Sequence, residues 1–175
     1  MIFELITATP AELIKQQAVA EILSMNELAG QFGLSLTPAQ AADLVETRYI
    51  ALKEHGRIEF SKGITGKLID EFCDSKYLSS SNYAESLNRL LEIFYYLKAE
   101  SWEVHLRDGI ISDDSIITGM KKAFETICQG SLELLADREG IKIAKSFIYD
   151  YEPDFDQDHN HEGGYLDDWA DEWET

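Results

Sequence analysis

The residues best suited to chemistry lie near the C-terminus, where carboxylates alternate with a pair of histidines. The group consists of Asp154, Asp156, Asp158, His159, His161 and Glu162. Read as an EF-hand loop from Asp156, the segment ends on Asp167 at position 12, but the glycine required at position 6 is replaced by His161. We therefore expect no cofactor. An irregular Ca²⁺ site and a transition-metal site (Zn²⁺, Ni²⁺ or Mn²⁺) at the histidines stay open as alternatives, beside a solvated segment that binds cations only diffusely.

A short amphipathic helix is predicted after the pair Gly163-Gly164. Its apolar residues recur at i, i+4 and i+8, with acidic residues opposite. Because Trp and Tyr dominate binding hot spots, we expect this helix to bind a partner. The predicted partner-binding residues are Tyr165, Leu166, Asp167, Asp168, Trp169, Asp171, Glu172 and Trp173. Docking on the protein's own body as a latch, insertion into the groove of a basic partner and plain disorder all stay open.

The distribution of charge indicates what kind of partner this segment attracts. Residues 150–175 hold 11 of the chain's 33 carboxylates and no Lys or Arg, and the net charge of the whole chain is −18. Such a chain repels phosphate backbones, so we expect no direct binding to nucleic acid. The same repulsion disfavours anionic membranes. The negative electrostatic field of residues 150–175 attracts a basic protein surface, which is the partner that we expect.

Other chemistries find little support in the sequence. Cys73 and Cys128 lie 55 positions apart in apolar segments and are expected to be buried free thiols of a reducing cytoplasm. A Cys–His enzyme that uses His55 or His105 stays open, although each histidine is placed at a helix C-terminus. The segment 63–68 resembles a phosphate-binding loop, but two residues separate its glycines where four are required.

The remainder of the chain predicts an all-α fold, a compact bundle of five to six helices over residues 1–149 with an acidic C-terminal tail over 150–175. Thr9-Pro10 and Thr37-Pro38 begin two capping boxes, closed by Glu12 and Gln40. The helices are expected at 10–31, 38–55, 65–77, 83–101, 112–135 and 141–149. The first is expected to bury Leu13, Ile14, Ala18, Ile22, Met25, Ala29 and Phe32, and the second Ala41, Leu44, Val45, Tyr49 and Leu52.

The fourth helix is apolar on nearly every side, which places it at the centre of the bundle. The fifth is expected to run through Cys128, Gly130 and Ser131, with Gly140 as a break before the sixth. Residues 57–60 alternate as a strand does, but a connector is favoured because no partner strand is evident. Residues 2–6 and 141–148 are ambiguous between strand and helix. No stretch is apolar enough to cross a membrane, and the N-terminus is not a signal peptide.

Four segments resemble an uncharacterised family of small bacterial helical proteins. They are Gly56-Arg57-Ile58-Glu59-Phe60, Phe72-Cys73-Asp74-Ser75, Ile93-Phe94-Tyr95-Tyr96 and Cys128-Gln129-Gly130-Ser131-Leu132-Glu133. The resemblance covers roughly residues 40–135. It implies a small cytoplasmic helical protein and no activity.

The sequence thus favours a non-enzymatic interaction protein whose acidic, aromatic C-terminus engages a basic macromolecular surface. One form of this hypothesis is a nucleic-acid mimic with an anti-defence role. A metal-binding module that uses residues 154–167 is the first alternative, and an enzyme that uses Cys and His of the bundle is the second. Nothing in the sequence indicates the oligomeric state.

Overall fold

The computed structural model describes residues 8–108 and 111–149, and its described side chains are those of residues 8–100 and 111–148. Regular structure in these residues is helical, without strands, which confirms the all-α fold class. The helices are α1 (Pro10–Ser24), α2 (Asn26–Ala29), α3 (Pro38–His55), α4 (Gly63–Phe72), α5 (Tyr83–Asp108), α6 (Asp113–Thr126), α7 (Leu132–Ala136) and α8 (Arg138–Tyr149), with a 3₁₀ turn at Gly30–Phe32. The prediction of five to six helices merged the short α2 with α1 and the short α7 with α6. Residues 2–6 and the tail over 150–175 lie outside the described residues.

The predicted helix starts are present because their capping groups are local in sequence. The Glu12 amide donates to Thr9 Oγ1 over 3.3 Å, and the Gln40 amide donates to Thr37 Oγ1 over 3.2 Å. The side chains of Glu12 and Gln40 in turn accept hydrogen bonds from the backbone amides of Thr9 and Thr37. Both capping boxes are therefore confirmed. Ser112 caps α6 with its side chain, which accepts a hydrogen bond from the Ser115 amide over 3.1 Å.

The central position predicted for the fourth helix is confirmed. α5 packs against α3, α4, α6 and α7. Up to Glu100, where its described side chains end, the buried side chains of α5 are Tyr83, Ser86, Leu87, Leu90, Leu91, Ile93, Phe94, Tyr95 and Leu97. A helix that is apolar on several faces is stable in water only when neighbouring elements cover those faces, so α5 occupies the centre of the bundle. Tyr96 is the exception in this run and is half exposed.

The apolar stripe predicted for the first helix was too wide. Ala18, Ile22, Met25 and Ala29 are buried as expected, but the other three members, Leu13, Ile14 and Phe32, are exposed. Among the described elements α1 packs chiefly against α3, so only a narrow face of it can be covered. Tyr49 of α3 is also exposed, and the Lys15 ammonium group lies 4.5 Å from the centre of its ring.

The predicted fifth helix ends early, at Thr126. Gln129 and Gly130 adopt left-handed backbone conformations, with φ of 48° and 82°, which no α-helix can continue. Gly130 and Ser131 therefore lie outside a helix, contrary to the prediction. Ser131 caps α7 through a 3.2 Å bond from the Leu134 amide, and the Leu134 side chain is half exposed.

The prediction that Gly140 breaks a helix is wrong. Gly140 lies inside α8. Its amide donates to Asp137 Oδ1 over 2.7 Å, which caps the helix start. A Cβ atom at this position would lie 1.9 Å from the carbonyl oxygen of Leu134, so glycine permits the close approach of α7 and α8. The ambiguous residues 141–148 are therefore helical.

Two further helices differ in extent from the predictions. α4 spans 63–72 rather than 65–77, because tight turns follow Cys73. α5 continues to Asp108, so His105 lies within the helix and not beyond its end. Residues 57–60 belong to no helix or strand, which confirms the connector. In the described part of the chain no helix is long and apolar enough to cross a membrane.

Candidate functional site

The connector of residues 57–60 turns its side chains alternately inward and outward. The side chains of Arg57 and Glu59 are 27% and 7% exposed. Ile58 and Phe60, between and after them, are 77% and 79% exposed. This is the reverse of the usual arrangement, in which apolar side chains are inside. A buried charge must be paired and hydrogen-bonded, so partners are required in the body.

Asp113 at the start of α6 is the principal partner. The Arg57 guanidinium donates to both of its carboxylate oxygens, over 3.3 and 2.6 Å. The Lys98 ammonium of α5 lies 2.9 Å from the same carboxylate and donates to the Ile111 carbonyl oxygen over 3.3 Å. Burial opposes ionisation of Asp113, but the hydrogen bonds from Arg57 and Lys98 outweigh it and lower the pKa of this carboxyl. The hydrogen bond to Asp113 in turn raises the pKa of Arg57.

Glu59 connects the connector to α5 and α4. Tyr95 donates its hydroxyl to Glu59 Oε2, and the Ile64 amide donates to Oε1 over 3.3 Å. The Arg57 guanidinium lies 3.7 Å from this carboxylate. Burial, together with the charge of Glu59, raises the pKa of Tyr95 well above its usual range. The phenol therefore stays protonated and donates its hydrogen bond to Glu59.

Arg48 of α3 completes this group, which we call the charge cluster: Arg48, Arg57, Glu59, Tyr95, Lys98 and Asp113. Arg48 is 5% exposed and donates from Nη2 to the Ser61 carbonyl oxygen over 2.8 Å. Its Nη1 has no hydrogen-bond partner among the described atoms. The cluster contains three cations and two carboxylates, so it carries an excess of positive charge within an acidic chain.

A pocket of about 560 Å³ opens beside the charge cluster. Its described lining consists of His55, Gly56, Arg57, Ile58, Tyr95, Lys98 and Ala99. The rings of His55 and Tyr95 lie nearly parallel, at 17° with centroids 6.5 Å apart. Two cluster cations belong to this lining, whereas Glu59 and Asp113 do not. The described wall is thus cationic and aromatic.

A second pocket, of about 260 Å³, has a different character. It lies between α5 and the α7–α8 region, and Arg89, Glu92 and Tyr96 are among its lining residues. Arg89 pairs with Glu92 over 2.7 Å on the exposed face of α5. Cation and carboxylate therefore both belong to its lining, and this pocket lacks the excess of positive charge found at the first.

The residues predicted to act together fall in different places. The partner-binding group over 165–173 and the metal group over 154–162 lie outside the described residues, and both stay predictions. Calorimetry of the full chain with Ca²⁺ and Zn²⁺ tests the second. Among the described residues no three of His, Cys, Asp and Glu are placed to hold a metal ion.

The predicted thiols are buried and free, as expected. Burial is the main reason that the pKa of both Cys73 and Cys128 is raised. A raised pKa makes a thiol a poor nucleophile. The described lining of the larger pocket includes His55 but neither cysteine. The glycine-containing segment 63–68 is the start of α4, where Lys67 pairs with Asp114 over 2.7 Å.

The charge cluster itself was not predicted, although its sequence signal was visible. Taken alone, the alternation in residues 57–60 indicates only a weak strand pattern. Two of the segments that carried the family resemblance, 56–60 and 93–96, meet through the bond between Glu59 and Tyr95. The other two, 72–75 and 128–133, border the packed rings of Phe72, Tyr77 and Phe124.

These features define the class: an all-α protein with a charge cluster that joins a connector to its central helix and a pocket beside it. The chain belongs to a family of unknown function, DUF6323, whose profile matches residues 21–153. The predicted resemblance to an uncharacterised family is thereby confirmed, over a longer stretch than 40–135. No curated protein and no solved structure matches the chain.

Proposed function

We propose that this protein is a non-enzymatic interaction protein whose acidic, aromatic segment 150–175 engages a basic surface on another macromolecule. The distribution of charge carries this proposal. The segment has 11 carboxylates and no Lys or Arg, whereas residues 1–149 hold the other 22 carboxylates and all 15 basic side chains. A segment of this density attracts cationic surfaces over a distance comparable with the Debye length, about 8 Å at physiological ionic strength.

The body is a poor alternative target for this segment. Outside the charge cluster, several of its cations already pair with its own carboxylates: Lys15 with Glu46, Lys67 with Asp114, Lys121 with Asp74 and Lys145 with Glu100. Residues 1–149 are also acidic as a whole. Docking on the body would bring like charges together, so an external basic partner is favoured over a latch.

Trp169 and Trp173 supply the specific part of the interaction. Carboxylates attract many basic surfaces, but tryptophans at helical spacing fill defined pockets and dominate binding energies. The proposal therefore assigns attraction to Asp167, Asp168, Asp171 and Glu172, and affinity to the aromatic residues. A cationic groove of a nucleic-acid-binding enzyme is one surface of this kind. The free buried thiols support a reducing compartment, the cytoplasm, as the location.

Affinity purification with three variants of the full chain tests the proposal. Trp169→Ala with Trp173→Ala removes the aromatic residues and keeps the charge. Asp167→Asn, Asp168→Asn, Asp171→Asn and Glu172→Gln together remove four charges and keep the tryptophans. A matched control removes four exposed charges from the body instead: Asp43→Asn, Glu54→Gln, Glu85→Gln and Glu133→Gln.

We expect the unaltered chain and the body control to recover the same basic partner, and both segment variants to lose it. A chain that ends at Tyr149 should behave as the segment variants do. Identical partners for all of these proteins would overturn the proposal. Loss of the partner only in the body control would move the interface to residues 8–149.

A further inference from the structure

We propose that the pocket beside the charge cluster binds a small oxyanion, a carboxylate or a phosphate, carried on an aromatic body. This site is separate from the acidic segment and does not depend on the function proposed for it. The inference begins from the sign of the charge at the pocket wall. Arg57 and Lys98 belong to the described lining, and their carboxylate partners, Glu59 and Asp113, do not. An anion in the pocket would therefore meet cations first.

The two cations keep hydrogen-bond donors for a ligand. A guanidinium has five N–H groups, and Arg57 donates one from each Nη atom to Asp113. An ammonium has three, and Lys98 directs two of them to Asp113 and to the Ile111 carbonyl oxygen. Within the described residues, donors therefore remain on both groups. Asp113 holds both cations in place, so a ligand would lose little affinity to ordering them.

The excess of positive charge supports an anion over a neutral ligand. Arg48, Arg57 and Lys98 face only two carboxylates in the charge cluster, and Arg48 Nη1 lacks a partner among the described atoms. A bound oxyanion would supply a third negative charge, which would balance the three cations of the charge cluster against its two carboxylates. In a chain of net charge −18, such a local excess of cations is the opposite of the general composition.

The volume and the remaining walls indicate an organic ligand, not a bare ion. Ligand pockets have volumes of about 300–1,000 Å³, and this pocket has about 560 Å³. Ile58, Ala99 and the rings of His55 and Tyr95 supply apolar and aromatic surface. An aromatic group can pack against such rings in an offset or edge-to-face arrangement. The oxyanion would lie at Arg57 and Lys98 and the ring against the apolar and aromatic lining residues.

Calorimetry and NMR titration of the full chain with three probes test the site. Phenyl phosphate and benzoate distinguish the two oxyanions, and benzyl alcohol is the neutral aromatic control. We expect at least one anionic probe to bind with a Kd of about 1 mM or tighter, and to shift the backbone resonances of His55–Ile58 and Lys98. Benzyl alcohol should bind more weakly. Binding by neither anion, or equal binding by benzyl alcohol, would overturn the proposal.

A matched pair of variants locates the binding. Lys98→Gln removes a lining cation and should weaken binding of the anionic probe about tenfold, the usual effect of losing a charged hydrogen bond. Lys67→Gln removes the same charge from an exposed pair on α4 and should leave binding unchanged. Equal affinity of the two variants would contradict the site.

His55→Ala keeps the test decisive if Lys98→Gln fails to fold. His55 is exposed at the end of α3, so its loss should not disturb the core. We expect about a threefold weakening for loss of one aromatic wall. Unchanged affinity in His55→Ala, together with unshifted resonances at His55–Ile58, would place any binding elsewhere.

Discussion

Glu59 accepts a hydrogen bond from the hydroxyl of Tyr95, a residue 36 positions later in the chain. This bond attaches an irregular connector to the buried central helix. The carboxylate lies in a part of the protein where an unpaired charge would be costly. The connector therefore owes its conformation to contacts with α4, α5 and α6, and not to secondary structure of its own.

The bond between Glu59 and Tyr95 can be tested with two neighbouring tyrosines. Tyr95→Phe removes the donor and leaves a buried carboxylate with one partner fewer, so we expect the free energy of unfolding to fall by about 1–2 kcal/mol. Tyr96→Phe removes the hydroxyl that bonds Glu100 on the exposed face and should cost less than about 0.5 kcal/mol. Urea denaturation gives both values. Equal costs would show that the Glu59 bond adds nothing beyond a surface contact.

The Asp113 carboxylate should contribute to stability in a pH-dependent way. Asp113→Asn leaves Arg57 and Lys98 without their shared counter-charge, and we expect a loss of about 2 kcal/mol at pH 7. The pKa of Asp113 is lowered in the folded protein, so the folded state binds fewer protons than the unfolded state near that pKa. The contribution is then fully present above the unfolded pKa of about 3.9 and is lost as the pH falls through the folded pKa.

Denaturation of both proteins between pH 7 and pH 3 measures this dependence. The difference in unfolding free energy between the unaltered chain and Asp113→Asn should be constant above about pH 5 and should shrink below it. Acid sensitivity that remains in the variant belongs to other carboxyls with lowered pKa values, such as Glu12 and Glu100. A difference that stays constant down to pH 3 would contradict the assignment to Asp113.

Gly130 should tolerate no side chain, for two separable reasons. Its φ is 82°, and an added Cβ would lie 2.3 Å from the ring of Tyr77. We expect Gly130→Ala to lower the free energy of unfolding by about 3 kcal/mol, from backbone strain and overpacking together. Gly33 shares the left-handed conformation but has open space around it, so Gly33→Ala should cost only about 1–2 kcal/mol.

Gly30 provides the control for this series. It has an ordinary φ of −61° and nothing within 4 Å of an added Cβ. Gly30→Ala should therefore raise the free energy of unfolding by about 0.4–1 kcal/mol, because it restricts the unfolded chain. Thermal melts of the three variants should rank as Gly30, Gly33 and Gly130 in order of falling midpoint. Any other order would contradict the claim that backbone strain and steric overlap with Tyr77 contribute separately at Gly130.

The two thiols should be unreactive in the folded protein. Cys73 and Cys128 are each 3% exposed, and burial raises the pKa of both. A thiol-specific reagent such as DTNB should label neither cysteine at pH 8 in native buffer, and both after unfolding in guanidinium. Rapid labelling of one cysteine in the native protein would revive the hypothesis of a Cys–His enzyme.

The sequence predicted those parts of the fold that depend on nearby residues. Thr9, Thr37 and Ser112 lie within three residues of the amides that they cap, so their motifs can be read directly. The end of α6 could not be predicted in this way. It depends on a left-handed Gln129, which is uncommon for this residue type, and on Tyr77 packing against Gly130 from a distant turn.

The charge cluster could not be predicted from the sequence, because its partners are far apart in the chain. Arg57 is 56 positions from Asp113, and nothing local in the sequence indicates that they meet. Alternation in residues 57–60 was visible, but it does not reveal which set of side chains is inside. The carboxylate of Asp113, the hydroxyl of Tyr95 and the amide of Ile64 make the charged set the buried one.

The outward positions of Ile58 and Phe60 mean that the connector is constrained in length as well as in composition. Deleting or inserting a single residue between Gly56 and Ser61 would exchange the two sets of side chains. The apolar pair would then face the Asp113 carboxylate, and Arg57 and Glu59 would face water. We therefore expect homologous chains to vary in the residues at the outward positions, whereas an odd change in the number of residues here would break the electrostatic contact between the connector and the helices.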